Sequence, residues 1–263
     1  MTERIQKVLA RAGLGSRREV ERWIRQGRVT VNNQPAELGQ QIDPSCQVAV
    51  DGRAVALAST PSAPARILLY HKPVGQICSR DDPQGRPTVF DNLPRLKGGR
   101  WVSVGRLDLN TSGLLVFTTD GELAHQLMHP SGGIEREYRC RVRGNPSEQE
   151  LKRLMVGVRL GGQLCRFDSV EAGRGSGANR WFRVILKEGR NREVRRMWQS
   201  VDCTVSRLIR VRYGPFRLER QHHAGEYVEL NESESARFLQ HVGGPEAHAK
   251  KSVKKRPVRR HRR

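Results

Sequence analysis

A chain of 263 residues is long enough to bury a sizeable core and to hold two domains. Its 48 Lys and Arg against 27 Asp and Glu give a formal charge of +21, far more than solubility needs and suited to a polyanionic partner, nucleic acid before an acidic membrane surface. No stretch approaches the roughly 18 apolar residues of a membrane span, and the start MTERIQKVLARAG lacks the apolar core of a secretory signal, so a soluble cytoplasmic protein with no membrane partner is expected.

In chain order, IQKVLARAG places Ile5, Val8, Leu9 and Ala12 on one helical face, with Gly13 as the stop. Ser16 and Glu19 form a capping box that opens a second helix, apolar through Val20, Trp23 and Ile24. The same helix carries Arg17, Arg18, Arg22 and Arg25, a basic face read as a phosphate contact in a chain of this charge. GRVTVNNQPAE then reads as strand, Asn-Asn turn and strand, and VAVDGRAV as a further strand and turn. The small, Pro-rich run ASTPSAPA reads as a linker, so the expected domains are 1–60 and 67–242, joined by a linker over 61–66.

Beyond it RILLYHKP reads as a strand entering a loop, and WVSVGRLD and GLLVFTT as two strands joined by the polar turn of Asn110, Thr111, Ser112 and Gly113. Thr119 with Glu122 reads as the cap of a helix through ELAHQLM, stopped by Pro130. EREYRCRVRG, RFDSVEA and RWFRVILKEG alternate as strands, Asn191 can cap a helix carrying Val194, Met197 and Trp198, and SRLIRVRYGPF and GEYVELN return to strand. Strands dominate without strict strand-helix repetition, which indicates an α+β fold rather than a doubly wound one. The segment 243–263 is too polar and too basic to pack and reads as a disordered tail that adds salt-sensitive affinity for RNA.

The chemistry-bearing candidates are few. Asp108 is placed on a strand with its leucine neighbours pointing to the opposite face, at a loop where it could meet a substrate or simply accept turn N–H groups. A pocket carboxylate needs a cation to stay ionised, and EGRNREVRRMW offers Arg190, Arg192, Arg195 and Arg196. Tyr138 is either core or a platform for a base. The five scattered cysteines read as buried thiols without a metal-ligand cluster, and His125 and His129 lack the HExxH glutamate. GRNR lacks the P-loop frame and no GxGxxG occurs, so neither a nucleotide cofactor nor a metal is expected.

GRLDLNTSGLLVFTTDGELAHQLMHP, EREYRCRVRG, LKEGRNREVRRMW and SRLIRVRYGPF, in this order, resemble the signature segments of bacterial ribosomal RNA pseudouridine synthases of the small-subunit-A and large-subunit-B/E/F branch. The start, RIQKVLARAGLGSRREVERWIRQGRVTVNN, resembles the S4 RNA-binding module in front of the catalytic domain in that branch. Within the branch, TTDGELAHQLMHP, GANRWF and SRLIRVRYG look most like the B-type enzymes, which act on a uridine in the peptidyl-transferase domain of 23S rRNA. The resemblance implies a bent, mainly antiparallel sheet, a cofactor-free isomerase acting as a monomer, and ribosomal RNA as partner. It casts Asp108 as the catalytic aspartate, Tyr138 as the tyrosine that stacks on the target base, Arg195 as the aspartate's partner and Arg106 as an RNA contact. The same chemistry on 16S rRNA, or a non-enzymatic assembly protein, fits the composition as well.

Overall fold

In the computed structural model the described residues are 2–57, 65–96, 99–176 and 179–243. Most of the expected linker and, from residue 244, the expected tail lie outside them. Among the described residues no helix is long and apolar enough to cross a membrane.

The N-terminal module runs β1 (Glu3–Arg4), α1 (Ile5–Arg11), α2 (Arg17–Arg25), β2 (Val29–Val31), β3 (Gln34–Pro35), β4 (Gln41–Ile42), β5 (Val48–Val50) and β6 (Arg53–Val55). The Ser16/Glu19 capping box is present at α2, with both reciprocal bonds made. Asn32 and Asn33, and Asp51 and Gly52, take positive φ as two-residue hairpin loops require. Ile5, Leu9, Val20, Ile24, Val29 and Val48 close one apolar core. In α1 Ala10 takes the buried position expected of Ala12, because the helix ends at Arg11 and Ala12 becomes its C-cap.

The second part runs β7 (Ile67–Lys72), β8 (Val102–Val104), β9 (Ser112–Thr118), α3 (Gly121–Met128), β10 (Arg136–Arg143), α4 (Glu148–Val156), β11 (Val158–Leu160), β12 (Gln163–Cys165), β13 (Ser169–Ser176), β14 (Asn179–Leu186), α5 (Glu193–Gln199), β15 (Thr204–Tyr213), β16 (Phe216–Arg217), β17 (Tyr227–Glu229) and α6 (Glu232–Gly243). Nine strands form one mixed sheet with the path β13-β14-β10-β15-β9-β7-β17, β8 pairing with β9 and β16 with β15. The β9–β15 pair is parallel, and the other pairs in this sheet are antiparallel. Tyr138, Cys140 and Val142 of β10 share a core with Leu154 of α4 and Met197 and Trp198 of α5, where the Phe182 and Trp198 rings lie 4.7 Å apart. Leu114 and Val116 of β9 pack with Leu123, Leu127 and Phe238 in a second core under α3 and α6.

Several local expectations are corrected. Asp120, not Thr119, caps α3, its Oδ1 accepting from the N–H groups of Glu122 and Leu123. Arg192, at φ 49°, stands at the N-cap of α5 in place of Asn191, and no side chain caps that end. Helix α4 adds an element that the strand-rich reading lacked, opened by its own capping box of Ser147 and Glu150. Cys46 and Cys78 are half-buried rather than buried. Ala65 and Arg66, placed in the linker, adjoin the sheet domain: Arg66 N–H donates to Thr119 Oγ1 at 3.1 Å, and its guanidinium pairs with Glu229.

Candidate active site

A cleft of about 510 Å³ opens between the β8–β9 loop, the end of α3, β10, β15 and the segment leading into α5. Asp108, Tyr138, Arg106, Arg190 and Arg192 all line it. Arg195 and Arg196 do not, whereas Arg136 and Arg210, which the sequence did not single out, do. Arg17, Arg18, Arg22 and Arg25 are exposed on α2 and do not line this cleft.

Asp108 sits in the loop and not on a strand: Leu107 enters the core, Leu109 is half-buried, and Ser112 and Gly113 already belong to β9. The reason lies in Lys72. Its buried ammonium donates to the carbonyls of Pro73 at 2.9 Å and Thr111 at 2.8 Å, with Leu109 O at 3.5 Å, so carbonyls on both sides of Asn110 turn inward and leave no ladder for a strand. Thr111 N–H closes the turn onto Asp108 O at 3.0 Å. Burial lowers the Lys72 ammonium from its ordinary value, opposed by the Asp108 carboxylate. The Cys78 thiol braces the other side, donating to Leu107 O at 3.3 Å and accepting from Leu107 N at 3.4 Å.

Lys72→Met keeps the stem and removes the donors, leaving the Pro73 and Thr111 carbonyls unpaired. A stability loss of about 2 kcal/mol is expected, read as a lower urea midpoint at unchanged slope. An unchanged midpoint would show that water replaces the ammonium and that the loop does not depend on it.

Arg195 does not reach Asp108. Its Nη1 donates to Val205 O at 2.8 Å and its Nη2 to Asn110 O at 2.7 Å, tying α5 to β15 and to the loop one residue past the next leucine. Among the described residues no cation lies within 4.0 Å of the Asp108 carboxylate. The two still sense each other: burial and Arg192 lower the Arg195 guanidinium, and Asp108 raises it. The expected charge-assisted bond is therefore replaced by a backbone clamp, leaving the carboxylate open to the cleft.

Tyr138, 8% exposed, faces the cleft from β10, paired across the sheet with Arg210 of β15. Arg210 is almost fully buried; its Nε donates to Leu114 O at 2.8 Å, while among the described residues its Nη2 and the Oγ1 of Thr111 find no partner. Both residues line the cleft, and buried polar atoms without partners are costly unless a ligand meets them. Behind Glu188 and Glu193 of the cleft wall lies the buried Cys165, and the ligand atoms of these three are within 4.8 Å of one another. That spacing resembles a metal cluster, but Arg190 occupies it, with Nη1 at 3.3 Å from Cys165 Sγ and Nη2 at 3.0 Å from Glu188 Oε2. The cluster anchors a cleft arginine.

Burial raises the Glu193 carboxyl above its ordinary value, although it accepts from Arg190 N–H at 2.9 Å. The native state then holds this proton more tightly than the unfolded chain, so the group's stabilising contribution is full below the unfolded value of about 4.5 and fades as pH rises through the folded one. Glu193→Gln should remove that decline: the thermal midpoint of the variant falls less between pH 4.5 and neutrality than that of the parent. Parallel pH profiles would exclude Glu193 as the source.

An S4 domain, matched by its family model over residues 3–48, in front of a mixed-sheet domain with a carboxylate in a basic cleft defines the class of RNA-directed proteins. Residues 66–200 match the model described as RNA pseudouridylate synthase, and the chain belongs to that family. It is similar to the ribosomal large subunit pseudouridine synthase B of Pseudomonas aeruginosa, 50% identical over 242 residues, which are 92% of this chain and 63% of that protein. The protein of the same name from Vibrio vulnificus is 54% identical over 88% of this chain and 72% of its own length, and that of Escherichia coli K12 48% over 97% and 89%. This chain thus spans under two thirds of the Pseudomonas relative. Among solved structures, one described as a pseudouridylate synthase superposes with a TM-score of 0.61 at 26% identity, covering 89% of this chain and 98% of its own.

Proposed function

We propose that this protein is a ribosomal RNA pseudouridine synthase that isomerises a uridine in the peptidyl-transferase domain of 23S rRNA. The observation that carries the reading is Asp108, without a salt-bridge partner among the described residues, at a cleft it shares with Tyr138 and the partnerless Nη2 of Arg210. The names of its large-subunit relatives support the choice of RNA.

The reaction breaks the bond between uracil N1 and C1′ of the ribose and makes one between C5 and C1′, while a proton leaves C5 and one is gained at N1. Asp108 either attacks C1′ or stabilises the sugar cation, and both roles need its charge and its freedom from a salt bridge. Tyr138 stacks on the uracil while it turns and assists removal of the C5 proton. Arg210 directs its free N–H at an oxygen of the flipped nucleotide. Extruding the uridine costs a few kcal/mol, which Arg106, Arg190 and Arg192 offset through phosphates at the cleft rim. Arg195 positions the Asp108 loop through Asn110, and Arg196 contributes from α5 outside the cleft. Residues 1–60, through Arg17, Arg18, Arg22 and Arg25, hold RNA at a distance while 67–242 select the base.

Mapping pseudouridine in 23S and 16S rRNA with the protein absent and restored tests this directly. A 23S peptidyl-transferase site that appears only on restoration is expected. A site in 16S instead would move the substrate, and no restored site in either RNA would overturn the enzymatic reading.

A further inference from the structure

Residues alternate across a strand, so while Tyr138, Cys140 and Val142 of β10 face cleft and core, Arg139, Arg141 and Arg143 emerge on the other side of the sheet, exposed. Arg139 lies directly across from Arg183 of β14, and Arg141 directly across from Arg207 of β15. Like charges in directly opposed positions weaken a sheet. This sheet carries two such pairs side by side, in a row about 14 Å long on β10 alone.

The acids on this face compensate Arg183 but not the arginines of β10 or Arg207. Glu137 is buried against Arg212 at 2.9 Å and Arg183 at 3.2 Å, and Glu171 reaches Arg183 at 3.6 Å. Among the described residues Arg139, Arg141, Arg143 and Arg207 have no acidic partner within 4.0 Å. Trp181, half-buried opposite Arg141, lies under the Arg139 guanidinium, whose Cζ is 5.2 Å from the ring centre. The helices α4 and α5 cover only the Tyr138 side of these strands.

We propose that this arginine face is a second RNA-binding surface, taking backbone phosphates of a segment remote from the target uridine. The proposal rests on the RNA-modifying reading above and adds a contact on the opposite side of the sheet. A second copy of the chain would meet the face with the same charge, and so would the chain's own KKSVKKRPVRRHRR terminus, so neither is a suitable cover. Polyanionic RNA removes the repulsion that the sheet otherwise bears.

The test compares the parent with R139Q/R141Q/R207Q on two RNAs: a short stem-loop carrying the target uridine and a long 23S fragment around it. On the long RNA the slope of log affinity against log salt should become shallower by about 2–3, at about 0.7–0.9 for each lost phosphate contact, and affinity should fall about tenfold or more at moderate salt. Pseudouridine formation on the stem-loop should be unchanged, R139K/R141K/R207K should keep the parental slope, and the glutamine variant should melt no lower than the parent. An unchanged slope on long RNA overturns the proposal and leaves the face to an acidic protein. An equal loss on the stem-loop also overturns it, because the face would then belong to the target cleft. Should the parent form no pseudouridine in either RNA, the enzymatic reading fails while the salt slope still decides this one.

Discussion

Asp108→Asn should lower pseudouridine formation at least about a thousandfold, a barrier increase of about 4 kcal/mol, with RNA affinity and thermal midpoint close to those of the parent. The split follows from the geometry. Among the described residues the Asp108 side chain makes no hydrogen bond or ion pair, and only its carbonyl is used, accepting from Thr111 N–H. An amide of the same shape therefore fits without rearrangement. What it removes is the negative charge that either route at C1′ requires, and with it the anion that favours the charged forms of Lys72 and Arg195. Single-turnover assays on a stem-loop, with binding measured alongside, separate the two effects. Residual activity within tenfold of the parent would dismiss Asp108 as the reacting group, and a fall in midpoint would show instead that the carboxylate holds its loop together.

What could be read from the sequence is what depends on near neighbours. The Ser16/Glu19 box, the Asn-Asn and Asp-Gly turns and the alternation of β10 are decided within a few residues, and each appears in the fold. The box Ser147–Glu150 had the same local signal, but it sits between strong strand patterns that hid α4. Asp108 and Tyr138 stood out through their motif context, and the cleft brings them together.

The contacts between segments were not legible. Lys72 reads as an ordinary charge before a proline, and only the packing of β7 against β9 buries it under three carbonyls. Arg210 is one of several arginines in β15, distinguished by a register that puts it beside Tyr138. The family resemblance put Arg195 beside Asp108, and nothing in the sequence indicates that two backbone carbonyls, at Val205 and Asn110, take its guanidinium. Charge alone suits a polyanionic partner without saying where it would sit. The proposed second face follows from strand pairing, because Arg139–Arg183 and Arg141–Arg207 become neighbours only in the sheet.

Gly113→Ala should cost about 4 kcal/mol or more and abolish activity, although Gly113 touches no substrate in the proposed reaction. Gly113 is the first point at which β9 meets three constraints at once: it pairs with Lys72 of β7, lies beside Arg210 in the parallel register of β15, and holds φ at 109°. A Cβ there would stand 2.2 Å from Arg210 O and 2.6 Å from Arg210 N, backbone atoms that cannot swing aside as a side chain would. The strand β15 must move, taking Arg210 from Tyr138 and the Asn110 end of the loop from Arg195 and Lys72. Gly27→Ala isolates the backbone contribution, since φ is 68° and nothing lies within 4 Å of its Cβ; about 1–2 kcal/mol is expected there. Urea unfolding of both variants gives the comparison. Equal losses would mean that β15 yields to the methyl group, so that the spacing of β9 and β15 does not set the shape of the cleft.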